Sequence, residues 1–188
     1  AIGQLKPGEF SATPRKLGAQ IAKNGDRDQL RVLAYLIAEG ALSNKGATAD
    51  FVSKNPDLIQ AYKNSVSEFE DLSISTLQQV RGVTRVTVAG INKVHYHQPN
   101  NLVKQLRNWG LKTKSGGCRS YEKFVPDFVF SLSEEDIAFF LSCLWYCDGH
   151  IGKNICFIKT ISPQLAQDVH TLLLRIGIHS TIYESTYY

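Results

Sequence analysis

Two segments of this 188-residue chain repeat one pattern, Val32-Leu33-Ala34-Tyr35-Leu36-Ile37-Ala38-Glu39-Gly40 and Leu141-Ser142-Cys143-Leu144-Trp145-Tyr146-Cys147-Asp148-Gly149. Each is an apolar run that passes directly into a carboxylate and then a glycine. Small residues fall four apart in each copy, Ala34 and Ala38 in the first, Cys143 and Cys147 in the second. Helical residues i and i+4 share a face, so each segment is predicted to be a helix bearing a narrow, flat strip. Two such strips let helices approach more closely than ordinary ridge-and-groove packing. The pattern predicts two related half-domains that meet at a helix pair. The glycines are expected to close their helices in the left-handed conformation, which is cheap only without a Cβ.

The acids run against helix electrostatics. A helix C-terminus carries partial negative charge, so Glu39 and Asp148 sit where a cation is preferred. Two carboxylates brought together there raise each other's pKa unless positive charge intervenes. A divalent cation is the simplest remedy, because Mg²⁺ takes oxygen ligands, keeps several waters and shares phosphate oxygens.

With these motifs in hand, the chain resembles the LAGLIDADG homing endonucleases, in particular the two-motif kind found inside inteins. The second motif with its sequel carries the resemblance best: residues 140–151, then Thr160-Ile161-Ser162-Pro163 and the run 164–178. Upstream, Lys123-Phe124-Val125-Pro126 is similar to the family's Lys-x-x-Pro element. The first motif ends in Glu39 where the family more often has aspartate, and Ala34 and Cys143 stand in place of glycine. The resemblance covers roughly residues 28–188. It implies an α+β (mixed α/β) fold of two pseudo-symmetric αββαββα half-domains, each with a saddle-shaped antiparallel sheet, about a central helix pair. It also implies Glu39 and Asp148 as catalytic metal ligands for Mg²⁺ (or Mn²⁺), and Lys123 as a catalytic lysine.

Charge patterning agrees with a nucleic-acid partner. The net charge is only +4, but residues 76–123 hold nine basic residues against one acid, Glu122. A surface stripe of this kind suits a phosphate backbone, for which affinity is largely electrostatic. From strand position and charge, the expected DNA-facing residues are Lys45, Lys54, Arg81, Arg85, Lys93, His95, His97, Lys153 and Lys159. The four cysteines form no Cys-x-x-Cys pair; a zinc set of Cys143, Cys147, His150 and Cys156 is the lesser reading beside small helix-face residues. No apolar stretch is long enough to span a bilayer, and the start lacks a signal-like pattern, so a cytoplasmic protein without a membrane partner is expected.

Along the chain, residues 1–27 read as a lead-in, 28–130 as the first half-domain with its connector, and 131–188 as the second. Asp26 or Asp28 is placed to cap the first motif helix, and Ser131 or Ser133 the second. Residues 41–45 and 47–54 read as a hairpin, and Asn55-Pro56-Asp57 opens a helix to about residue 69. Strands are expected at 73–76, 80–88 and 93–97, a helix at 99–109, strands within 150–161, a helix at 163–176 and a last strand at 178–183. The second half is expected to be cut short, and splicing is not expected of the chain itself, which starts with Ala1 and ends with Tyr188. The expected function is therefore that of an excised intein nuclease: a monomeric, site-specific double-strand DNA endonuclease leaving short 3′ overhangs, covalently part of a host protein before splicing. The alternative is a catalytically degenerate nucleic-acid binder or RNA maturase.

Overall fold

The computed structural model describes residues 23–43, 48–78, 80–91, 99–153 and 155–186. Its centre is α1 (Arg27–Glu39), which is buried on nearly every side through Leu30, Val32, Leu33, Ala34, Leu36 and Ile37. A helix apolar all round belongs in a core. Asp26 caps it, accepting the backbone N–H groups of Asp28 and Gln29.

From Glu39 the chain runs straight into β1 (Gly40–Ala41), then β2 (Ala49–Ser53) and α2 (Pro56–Ser67), with Asn55 as the helix cap. β3 (Leu72–Gln78) and β4 (Thr84–Gly90) follow, and the sheet order β1-β2-β4-β3 is antiparallel throughout. Register assigns the faces. Phe51 pairs with Val86 and Ala49 with Val88, so these side chains share the core face. The opposite face presents Val52 beside Arg85 and Ser75 beside Thr87. Tyr35, Phe51 and Tyr62 stack in series, at centroid distances of 5.6 and 4.6 Å, joining α1, β2 and α2.

After α3 (Asn101–Asn108) a connector of loops and short 3-10 turns leads to α4 (Glu134–Asp148), capped by Ser133. Then come β5 (Gly149–Ile151), β6 (Cys156–Ile158) and α5 (Pro163–Arg175). The order helix, hairpin, helix occurs twice. α4 packs along α1 and runs parallel to it, because the two starts are tied. Lys23 bridges Leu132 in parallel fashion, Ser133 N–H donates to the Lys23 carbonyl (2.9 Å), and Gly25 N–H donates to Asp136 Oδ2 (2.8 Å). Arg27 adds an ion pair to the same aspartate at 3.5 Å.

Several expectations need correction. Gly40 and Gly149 are not left-handed: their φ values are −77° and −81°, both extended. Glycine is needed for a different reason, since helix passes into strand without a loop. A Cβ on Gly40 would strike the Leu36 carbonyl and Cα, and one on Gly149 the Trp145 ring. Residues 80–82 are not strand but a 3-10 turn with consecutive left-handed residues, Arg81 (φ 67°) and Gly82 (φ 73°), so β4 begins only at Thr84. Residues 178–183 are described without regular structure; β-branched composition favours extended chain, but a strand also needs a partner ladder. The expected turn at 44–46, the strand at 93–97 and residues 1–22 of the lead-in lie outside the described residues.

Gly40→Ala is expected to destabilise the fold by about 2 kcal/mol, because its obstacle is helix backbone with nowhere to yield. Urea unfolding of the variant beside wild type measures this.

Candidate active site at the end of the helix pair

Helix geometry brings the two acids to one place. α1 has 13 residues and α4 has 15, lengths of roughly 20 and 22 Å at 1.5 Å per residue. Parallel helices with tied starts and nearly equal lengths must end at the same level. Glu39 and Asp148 are their last residues. Ala34 and Cys143 are buried in this packing, with Ala38 and Cys147 half-buried beside the acids, as the small strips require.

Lys123 enters the same place from the connector. It is only 6% exposed, and its ammonium donates to the Ala38 carbonyl at 3.0 Å. That carbonyl belongs to the last turn of α1, where oxygens lack helical partners and a cation is favoured. The three groups perturb one another. Burial lifts Glu39 above the usual carboxylate range; Asp148 raises it further, and Lys123 opposes the shift. Asp148 is exposed over much of its surface, yet the protein on its inner side strips enough water to raise it, against the pull of Lys123. Burial pushes Lys123 below the ordinary lysine value, while Asp148 and then Glu39 draw it back. Cys147 is driven well above its normal range by burial and by both acids, so it stays a thiol.

This donor set fits a hard divalent cation. It offers carboxylate oxygens, a negative double helix end and no thiolate, and the acids stay raised even with Lys123 beside them. Among the described residues no group of three or more His, Cys, Asp or Glu converges, so a cation here would take its remaining ligands from water or phosphate. The zinc alternative fails on the same ground: Cys156 is exposed on β6, while Cys143 is buried in the helix contact.

An open groove of about 510 Å³ leads away from Glu39, lined by Lys54, Asn55, Tyr146 and Cys147 among others. Lys54 therefore shares this groove with Glu39. Arg85 lies on the open face of the sheet and Arg81 on the exposed β3–β4 turn. Lys153 is in the β5–β6 turn, and exposed Lys159, just after β6, lies over the Phe157 ring at 5.4 Å. Lys45, Lys93, His95 and His97 lie outside the described residues.

The basic run 76–123 is not one surface stripe. Lys112 is 2% exposed and donates to the Leu42 carbonyl (3.1 Å), and Lys123 is turned inward as described. The others ride on separate elements, Lys104 and Arg107 on α3, Lys114 on a loop and Arg119 before a 3-10 turn. Three polar residues of structural weight carried no expectation. Asp136 ties the helix starts; Ser162 Oγ donates to the Lys123 carbonyl (2.6 Å); Asp168 Oδ2 accepts the Val125 N–H (2.8 Å). Asp168 had a sequence signal, an acid within the apolar stripe Leu165, Val169, Leu172.

The chain and its fold are similar to known proteins. Residues 135–188 match the LAGLIDADG-like domain family. The fold resembles that of I-DmoI in its crystal structure with DNA and Mn, with a TM-score of 0.53 and 15% identity over 86% of this chain and 84% of that one. The replicative DNA helicase DnaB of Synechocystis is 29% identical over 189 residues, 96% of this chain but 21% of the helicase. The replication factor C small subunit of Thermococcus kodakarensis is 27% identical over 194 residues, 98% of this chain and 20% of that protein. The chain thus spans about a fifth of the length of these relatives. Residues 135–188 thus resemble a LAGLIDADG-like domain, and most of the chain shares the fold of I-DmoI.

The raised acids have a consequence for stability. Glu39 is harder to ionise in the fold than in the unfolded chain, so its stabilising share is complete only below the unfolded value, near 4.5. That share is lost as pH rises through the folded value, and near neutrality the ionised pair opposes folding. Glu39→Gln is therefore expected to raise the melting temperature at pH 7 by roughly 2 °C. The gain should vanish toward pH 4, about the glutamate reference value. Thermal scans across pH check the sign.

Proposed function

We propose that this chain is a metal-dependent, site-specific double-strand DNA endonuclease. The observation that carries this reading is the meeting of Glu39 and Asp148 around buried Lys123 at the end of a tied helix pair. In this reading Glu39 and Asp148 are the residues that would hold Mg²⁺ (or Mn²⁺). Bound there, the ion would acidify water and offset charge on the phosphate oxygens. Lys123, buried and held against the Ala38 carbonyl, is placed to donate to the oxygen that gains charge. Its lowered pKa makes the ammonium a readier proton donor to that oxygen. Lys54 beside the groove, and Arg81 and Arg85 on the sheet side, take the flanking phosphates and base edges.

The pair of motifs in one chain supports a monomer that uses internal pseudo-symmetry on a nearly asymmetric duplex, with staggered cuts and 3′ overhangs as the family resemblance implies. A host context is supported by the relatives. A helicase and a replication factor are different proteins, yet each carries a segment like this chain within a minor part of its length. That distribution suits an inserted element such as an intein's nuclease, made in the cytoplasm with its host.

Selection of cleaved duplexes from a randomised pool with Mg²⁺ tests the activity and supplies a substrate. On that substrate, Asp148→Asn should lower the cleavage rate at least about 100-fold. Binding measured in Ca²⁺ should stay within about threefold; retained cleavage would falsify the metal role of Asp148. Binding without cleavage in any divalent metal would instead point to the degenerate binder or maturase. Lys54→Ala should weaken binding and reduce the slope of log affinity against log salt by about one.

A further inference from the structure

The connector segment that carries Lys123 is gripped from the second half of the molecule. Ser162, 1% exposed, caps α5 by accepting the Leu165 N–H (3.1 Å), and its hydroxyl donates to the Lys123 carbonyl at 2.6 Å. Two residues on, the Val125 N–H donates to Asp168 Oδ2 at 2.8 Å, while Gln164 Nε2 holds the other oxygen of Asp168 at 2.8 Å. Asp168 is 8% exposed and Val125 2%, so both bonds are made away from bulk water. Lys123 itself is extended (φ −65°, ψ 145°), as is Pro126 (φ −58°, ψ 143°). The far end of the lysine reaches the other half, at the Ala38 carbonyl of α1. Its backbone is thus fixed by α5 and its ammonium by α1.

We propose that Ser162 and Asp168 are positioning residues for Lys123, forming a two-point backbone clamp through which α5 sets where that ammonium stands between Glu39 and Asp148. The proposal rests on the reading of Lys123 as part of the reacting site, but the clamp itself is a statement of geometry and has its own readout. A buried hydroxyl serving as both cap and clamp is well suited to this, because moving the Lys123 carbonyl would also disturb the helix start. A buried aspartate paired to a backbone N–H has few alternatives, since an unmet acceptor in that setting is costly.

The experiment uses Ser162→Ala, Asp168→Ala and the conservative pair Ser162→Thr and Asp168→Asn, which keep a hydroxyl and an oxygen acceptor. Acetylation of the full chain with an N-hydroxysuccinimide acetate ester, read by mass spectrometry, reports whether Lys123 is shielded and requires no DNA cleavage. The alanine variants should label Lys123 several-fold faster than wild type, with other lysines unchanged, and the conservative variants should restore shielding. On the selected duplex, each alanine variant should lower the single-turnover cleavage rate roughly tenfold while leaving affinity in Ca²⁺ unchanged, as misplacement of a positioned group does. Unaltered Lys123 labelling in the alanine variants overturns the clamp. So does Asp168→Asn behaving like Asp168→Ala, which would make the charge the operative feature. Lys123→Met separates the two claims: full cleavage by that variant removes the lysine from the reaction, while the labelling result still decides the clamp.

Discussion

The structure depends on the tie between the starts of its two central helices. Asp136 accepts the Gly25 N–H and pairs with Arg27, and the Lys23 backbone exchanges hydrogen bonds with Ser131 and Ser133. These few bonds fix parallel direction and axial level, and near-equal helix lengths carry that level to the other end. A slip of one helical turn would separate the carboxylates by about 5.4 Å. The small strips along the contact permit close approach, but only the tie decides what meets what.

At that far end the molecule holds an arrangement unfavourable by its own accounting. Two acids terminate helices whose dipoles already point negative charge at them, and a lysine is stripped of water beside them. Each charge is partly answered by another, and none completely. Such a site is sustained by the apolar packing around it: the all-round burial of α1 and the stacked Tyr35, Phe51 and Tyr62. Local rules broken together at one spot, in a chain otherwise consistent with them, are what single that spot out as the candidate site.

Much of this was legible in the residues. Asp26, Asn55 and Ser133 announce helix starts through local hydrogen bonds that sequence alone encodes. The repeated apolar run with its terminal acid exposes the helix pair for the same reason, since a 3.6-residue period is a local property. What escaped was non-local. Charge composition cannot show that Lys112 and Lys123 fold inward to reach carbonyls of the segment after β1 and of α1, because those partners lie 70 and 85 positions away. The glycines were correctly singled out for the wrong reason, as their requirement is closeness to the helix behind them rather than backbone handedness. Residues 178–183 show the limit for strands, where composition speaks to extension and only a partner speaks to pairing.

The loop-free passage from each central helix into its hairpin has a mechanical corollary. β1 starts one residue after Glu39 and β5 one residue after Asp148. Under the endonuclease reading, the surface that inspects sequence and the oxygens that direct scission are welded into single levers. Such an instrument works as a gauge of set span. Its strands can be re-lettered for a new target while the stagger between the two cuts stays as it was.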